Sequence, residues 1–235
     1  ARRCLNTLMH LGYVGKQGKQ FLLTPNVLDF ALAFQESMNL EQVVRPQLQE
    51  LRDATGDSAS LAVLSGFDIL YLVHISTNRM IRTVAGYGTR FPAYPTSLGR
   101  VLLAYQSPEF VDQYLARAEF RKLTDKTETS KDRLRLVLEE IRELGFAAIQ
   151  DQLDYGIVSV SVPVMSPSGE ILAAINCSTA TTRVTEQAMV ETRLPRLRHA
   201  ASLIENEIRR YPVLEHSIQA AAQTSASTGF DAQAE

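Results

Sequence analysis

Two alternating runs in residues 157–177 restrict the fold more than any other feature of this chain. In Ile157–Met165, Val158, Val160, Val162 and Val164 lie on one side of an extended backbone, with Ser159 and Ser161 on the other. The turn formers Ser166-Pro167-Ser168-Gly169 separate this run from residues 170–177. There and just beyond, Ala174, Asn176 and Ser178 alternate with Ile175 and Cys177. Two period-2 strands so close in sequence predict an antiparallel pair whose apolar side needs a covering layer. The polar side has two readings, which stay open at this level. Small hydroxyls and an amide can line a pocket for a polar ligand, or they can form the solvent face of the sheet.

The rest of the pattern alternates helix and strand. Ala1, Cys4, Leu5, Leu8 and Met9 share one face of a helix over 1–11, and Gly12 ends it. A hairpin follows with residues 15–19 as its turn, and Thr24-Pro25 starts a helix to about Gln35. A helix closed by Gly56 is expected, with Pro46 either opening or kinking it. Strands are expected at 58–64, 69–75 and 81–85, then a loop to Ser97 and helices at 98–105 and 108–116. Ser130 caps an amphipathic helix that Gly145 stops; residues 146–149 form a strand, and a long helix runs over Glu186–Arg210, which Pro195 is expected to interrupt or kink. From His216 the chain is rich in Ala, Gln, Ser and Thr and reads as a disordered tail over 216–235.

Charge divides the chain. Net charge is −2, yet residues 1–20 carry Arg2, Arg3, Lys16 and Lys19 and no acid. A basic head on an acidic body suits a module that meets a phosphate backbone at one end. The outer face of the first helix carries Arg2, Arg3 and Asn6, whose forked donors match base edges in a major groove. Lys16 and Lys19, placed at the hairpin tip, would touch flanking phosphates. Together these read as the second half of a winged helix-turn-helix; an amphipathic helix with a solvated face is the other reading. The chain enters this helix at Ala1 without a cap, so an N-terminal portion is expected to precede it.

Catalytic signatures are missing. There is no GxSxG elbow and no P-loop, and Gly86 and Gly88 are followed by Phe91 where a dinucleotide fingerprint needs its third glycine. The four histidines are scattered, and Cys4 and Cys177 stand far apart, so neither a metal site, a cofactor site nor a disulfide framework is expected. No run approaches the roughly 18 apolar residues of a membrane span, and the expected compartment is the cytoplasm. One further position can bind an anion: Thr96 or Ser97 opens a helix whose free amides suit a carboxylate.

In order and spacing, ARRCLNTLMHLGYV, FLLTPNVLDFA, GTRFPAYPTSLGRVLLA, GFAAIQDQLDYGIVSVSVPV and SGEILAAINCS resemble the IclR family of bacterial transcription regulators. The resemblance implies an α+β chain. Residues 1–24 would be the C-terminal part of a winged helix-turn-helix, 25–39 a linker helix, and 40–215 a GAF-like effector-binding domain with a mixed, mainly antiparallel sheet flanked by helices. It implies no enzyme activity. The partners implied are double-stranded operator DNA when the head is complete, a small organic acid effector, and copies of the same chain in a homodimer or homotetramer.

The effector pocket implied by the resemblance maps onto Ser97, Leu98 and Gly99 at the loop-to-helix turn and onto Ser159, Asn176 and Ser178 on the strands. Ile149 and Asp151 come from the loop Ile149-Gln150-Asp151-Gln152. Ile149 stands where some relatives present a carboxylate, and an apolar residue suits a ligand with a hydrocarbon or ring portion. GTRFPAYPTSLGRVLLA looks most like the branch controlling aromatic-acid breakdown through the β-ketoadipate pathway. A stand-alone GAF-like sensor without DNA binding is the alternative.

Overall fold

Helix α1 (Arg2–His10) stops at Gly12, where φ is +79° and the Tyr13 amide donates back to the Leu8 carbonyl. Strands β1 (Val14–Gln17) and β2 (Gln20–Leu23) pair in the register Val14↔Leu23 to Gln17↔Gln20, so the turn is only Gly18-Lys19. That moves Lys16 off the expected tip and into β1, opposite Phe21. Thr24 and Pro25 take the expected N-cap and first-turn positions, but the Thr24 side chain makes no cap bond: its hydroxyl donates to the Gly12 carbonyl, closing the hairpin onto the end of α1. Pro25–Val27 is a 3-10 turn. These elements belong to the first of two compact units, Ala1–Asn39 and Leu40–Glu235. The computed structural model describes residues 2–29, 40–77 and 86–223. Most of the expected linker helix and the expected strand at 81–85 lie outside the described residues.

The second unit is built on one six-stranded sheet. Its strands are β3 (Ser58–Ser65), β4 (Asp68–Ile75), β5 (Arg90–Pro92), β6 (Ala147–Gln150), β7 (Ile157–Met165) and β8 (Ile171–Ala180), in the order β5-β4-β3-β8-β7-β6. Every neighbouring pair is antiparallel, so among the described residues the sheet is not mixed. Strand β5 falls in what the sequence reads as loop.

The valine side of β7 is fully buried, with Val158, Val160 and Val164 at 0% exposure. Each such side chain contributes roughly 1.5–3 kcal/mol through the apolar surface it removes from water. Helices α2 (Leu40–Thr55), α6 (Glu186–Arg210) and α7 (Pro212–Gln223) pack against the sheet and one another. Pro46 and Pro195 sit inside α2 and α6, and both helices run through them. A fully buried carboxylate ties this layer together: Asp57 accepts from Arg183 Nη1 at 2.6 Å and Arg193 Nε at 2.9 Å. Cys177 lies in the same layer, and burial pushes its thiol up to about 12.

The serine side of the sheet is buried too, which excludes the solvent-face reading: Ser159 is 5% exposed and Ser161 0%. Helix α3 (Ser97–Ala104) lies over it with all eight residues buried, and α5 (Lys131–Leu144) packs on α3. Between them in sequence comes α4 (Pro108–Arg117), which adds Val111, Tyr114 and Leu115 to the same cluster. Ser130 caps α5 and Gly145 ends it with φ at +75°, as the sequence predicts.

The stretch from His216 read as disordered is helical through Gln223. Leu214, Ile218 and Ala221 recur at helical spacing, all at most 4% exposed, and α7 packs on β3 and β8. Alanine is the best helix former and fits a tight contact, so the scarcity of large apolar residues misleads there. Ile218→Ala is expected to cost about 2–5 kcal/mol of stability, read as a lowered urea midpoint with unchanged slope.

Candidate functional site

The polar residues of the sheet line up across four strands. Register places His74 opposite Ser60, Ser60 opposite Asn176, and Asn176 opposite Ser161. A parallel row holds Ser58, Ser178, Ser159 and Ile149. Helix α3 comes down on these rows with Ser97. Its hydroxyl accepts from Ser161 Oγ at 2.6 Å and shares a 2.8 Å hydrogen bond with Ser159 Oγ.

Among the described residues, two buried polar atoms on this face have no partner: Asn176 Oδ1 and His74 Nε2. Ser60 Oγ lies 2.9 Å from His74 Nδ1, and burial lowers the His74 pKa, favouring the neutral ring. An unpaired buried acceptor such as Asn176 Oδ1 costs about 1–3 kcal/mol, so something on this face has to compensate for it.

Asn176 lines a cavity of about 40 Å³ with Tyr71, Phe91, Thr96, Ser97, Leu98, Ile149, Gln152, Leu153, Ser159 and Ser178. Of the residues expected here, Ser97, Leu98, Ile149, Ser159, Asn176 and Ser178 are brought together, and two are not. Gly99 faces the loop: a Cβ there would stand 2.2 Å from the Ala93 carbonyl oxygen, and its amide donates to Thr96 Oγ1. The first turn of α3 therefore leaves only the amides of Ser97 and Leu98 for a ligand. Asp151 is turned away, its carboxylate accepting from Lys126 Nζ at 2.8 Å and the Gly156 amide at 2.7 Å. It takes φ at +55° to do so. Lys126 and Gln150 hold its carboxyl below the usual range.

Gln152 and Arg100, which sequence reading passed over, also come to this site. Gln152 Oε1 accepts from Arg100 Nη2 at 2.7 Å and from the Glu128 amide at 2.9 Å. Arg100 is 6% exposed and donates through Nε to the Tyr94 carbonyl. Beyond Ile149 and Gln152 opens a cleft of about 610 Å³, lined also by Arg100, Lys126, Gln150, Glu186 and Gln187. The signal available was a lone cation three residues after Ser97 in the apolar run SLGRVLLA, on the same helix face.

In the first unit, Arg3, Asn6, Lys16 and Lys19 are exposed, as a nucleic-acid face requires. Arg2 lies in α1 beside them. Cys4, expected on the apolar face, is exposed as well, and Val14 alone is buried among the described residues of that unit. Among the described residues no group of acids, histidines or cysteines could hold a metal, and no helix is long and apolar enough to cross a membrane.

A helix laid over a curled antiparallel sheet, enclosing a small cavity with a few polar groups in apolar walls, defines a ligand-sensing domain. Residues 33–206 match the family described as Bacterial transcriptional regulator IclR C-terminal. The chain belongs to the IclR family of bacterial transcriptional regulators. It is 36% identical over 195 residues to the Pca regulon regulatory protein of Pseudomonas putida, covering 83% of this chain and 67% of that one. The crystal structure of a putative transcriptional regulator, RHA06195 from Rhodococcus sp. RHA1, has a TM-score of 0.78 at 34% identity, covering 89% of this chain and 84% of that one. A double mutant of the PobR inducer-binding domain from Acinetobacter, in complex with 3-hydroxybenzoic acid, has a TM-score of 0.66 at 26% identity; the match covers 71% of this chain and 98% of that one. The relatives are named as regulators, not enzymes, and this chain is a transcriptional regulator.

Gly99→Ala is expected to destabilise the protein by about 1–3 kcal/mol or more, because the clash is with backbone that cannot rotate away. Thermal unfolding would show it, and an unchanged midpoint would remove Gly99 from this role.

Proposed function

We propose that this regulator senses an aromatic acid in the cavity under α3 and controls genes for aromatic-acid breakdown. The carrying observation is the convergence of Ser97, Ser159, Ser178 and the unpartnered Asn176 Oδ1 on a cavity also walled by Tyr71, Phe91, Leu98, Ile149 and Leu153. Directed polar groups within apolar and aromatic walls suit a small ring carrying oxygen substituents. The relatives support the same reading, one named for the Pca regulon and another solved with 3-hydroxybenzoic acid.

At about 40 Å³ the cavity has room for water but not for a ring. A ligand therefore has to displace a wall, and in this reading the wall that gives is the Gln152 side chain on the 150–156 loop, which lines both the cavity and the cleft. Binding that requires a moved wall favours one conformation over another, which is what a ligand needs in order to shift a regulator's population.

In this reading residues 1–24 belong to a winged DNA-binding head, 25–39 link it onward, and the sensing domain starts at residue 40. Arg2, Arg3 and Asn6 read operator bases, Lys16 and Lys19 hold phosphates, and the regulator works in the cytoplasm as a homodimer or homotetramer. A thermal-shift panel of protocatechuate, 4-hydroxybenzoate, 3-hydroxybenzoate and β-ketoadipate tests the ligand class. At least one is expected to raise Tm, by the mass-action stabilisation of about 2.7 kcal/mol at a hundredfold excess over Kd, and Asn176→Leu is expected to abolish the shift. No shift with any of the four would sink the reading. For the head, Arg3→Ala is expected to weaken operator binding by about 1–3 kcal/mol and relax sequence preference, measured by fluorescence anisotropy.

A further inference from the structure

Arg100 is a buried cation without a carboxylate. Its Nε and Nη2 donate to neutral oxygens, the Tyr94 carbonyl at 2.8 Å and the Gln152 amide at 2.7 Å. No hydrogen bond or ion pair engages Nη1 among the described residues, and no acid comes within ion-pairing distance of the guanidinium; Glu128 and Glu186 act on it only from farther away. Burying a guanidinium against neutral partners costs more than pairing it with an anion, because a charged acceptor makes a hydrogen bond about twice as strong. Desolvation pulls Arg100 down to about 10, which leaves it charged at neutral pH.

The geometry at the other end of the site has the opposite polarity. Asn176 Oδ1 is an acceptor without a donor, and a carboxylate cannot supply one whereas a ring hydroxyl can. The helix start is a poorer anion site than its sequence suggests, since Thr96 already takes the Gly99 amide and the Ala93 backbone presses on Gly99.

We propose that the effector's carboxylate is held by Arg100, taking the place of the Gln152 amide oxygen, while its hydroxyl reaches Asn176 between the two serine rows. Ser97 and Arg100 are three residues apart on one face of α3, about 5–6 Å between Cβ atoms. Ile149 and Gln152 wall both the cavity and the cleft, so displacing Gln152 joins the two spaces at the point where the ring must lie. Gln152 then acts as a neutral stand-in that a carboxylate outcompetes, and its release frees the Glu128 amide as well. This assignment rests on the aromatic-acid reading above.

Isothermal titration of the full chain with 3-hydroxybenzoate and with 3-hydroxybenzamide, which lacks only the charge, tests it. The wild-type protein is expected to prefer the acid roughly tenfold to a hundredfold. Arg100→Gln is expected to bring the two probes within about threefold of each other. Gln152→Glu, which supplies Arg100 with a resident carboxylate, is expected to erase the acid preference while still binding the amide, and it decides the matter if Arg100→Gln does not fold. Acid preference surviving in Gln152→Glu, or in folded Arg100→Gln, overturns the assignment to Arg100 and leaves the aromatic-acid reading standing. Failure of both probes to bind wild-type protein overturns the assignment to Arg100, and the aromatic-acid reading falls with it only if none of the four acids above raises Tm.

Discussion

Helix α3 can lie where it does only because Gly99 has no side chain. The Ala93 backbone occupies the space that a Cβ would need, so the helix and the loop before it meet at backbone distance. That contact sets the height of α3 above the sheet. Ser97 consequently reaches two hydroxyls on β7, and Arg100, one turn on, reaches back to the Tyr94 carbonyl. Tyr94 is itself fixed at both ends: its amide donates to Tyr114 Oη, and its hydroxyl donates to the Arg121 carbonyl. Cavity, cation and loop thus share one close backbone approach.

Placing a polar row under an apolar helix is costly, and the structure recovers most of that cost locally. The three hydroxyls of Ser97, Ser159 and Ser161 satisfy one another, and Ser60 engages His74. Among the described residues, what is left over is Asn176 Oδ1 and His74 Nε2 on the same face, so the unmet polarity concentrates where a ligand can use it. A sensing pocket needs such a surplus, because a fully satisfied site offers nothing that a ligand improves.

Much of this was legible in the sequence. Alternation at 157–165 and helical spacing at 131–144 each translate directly into an element, and Ser130 and Gly145 mark the ends of α5. The serine positions were legible as a face, but the sequence could not say whether helix or water covered it; that depends on α3, more than fifty residues earlier. Gly99 was read as part of the pocket because its neighbours are, whereas its role is steric. Asp151 was read as a ligand-facing acid, but Lys126 claims it, and such a partner 25 residues away leaves no local signature. Gln152 and Arg100 were passed over because their importance lies in a mutual contact across 52 residues. The α7 helix was missed because its burial is carried by Leu214, Ile218 and alanine rather than by many large side chains.

The two cysteines sit at opposite extremes of access. Cys4 is exposed on α1, in a unit with one buried residue among those described, while Cys177 lies beneath the valine face among Asp57 and Arg193 with its thiol pushed to about 12. Thiolate is the reactive form, so an alkylating reagent reaches Cys177 only when the sheet itself opens. The protein thus carries a matched pair of chemical clocks, one reporting the accessible surface of the first unit and the other the opening of the second. Anything that tightens the sheet should slow the second clock and leave the first running.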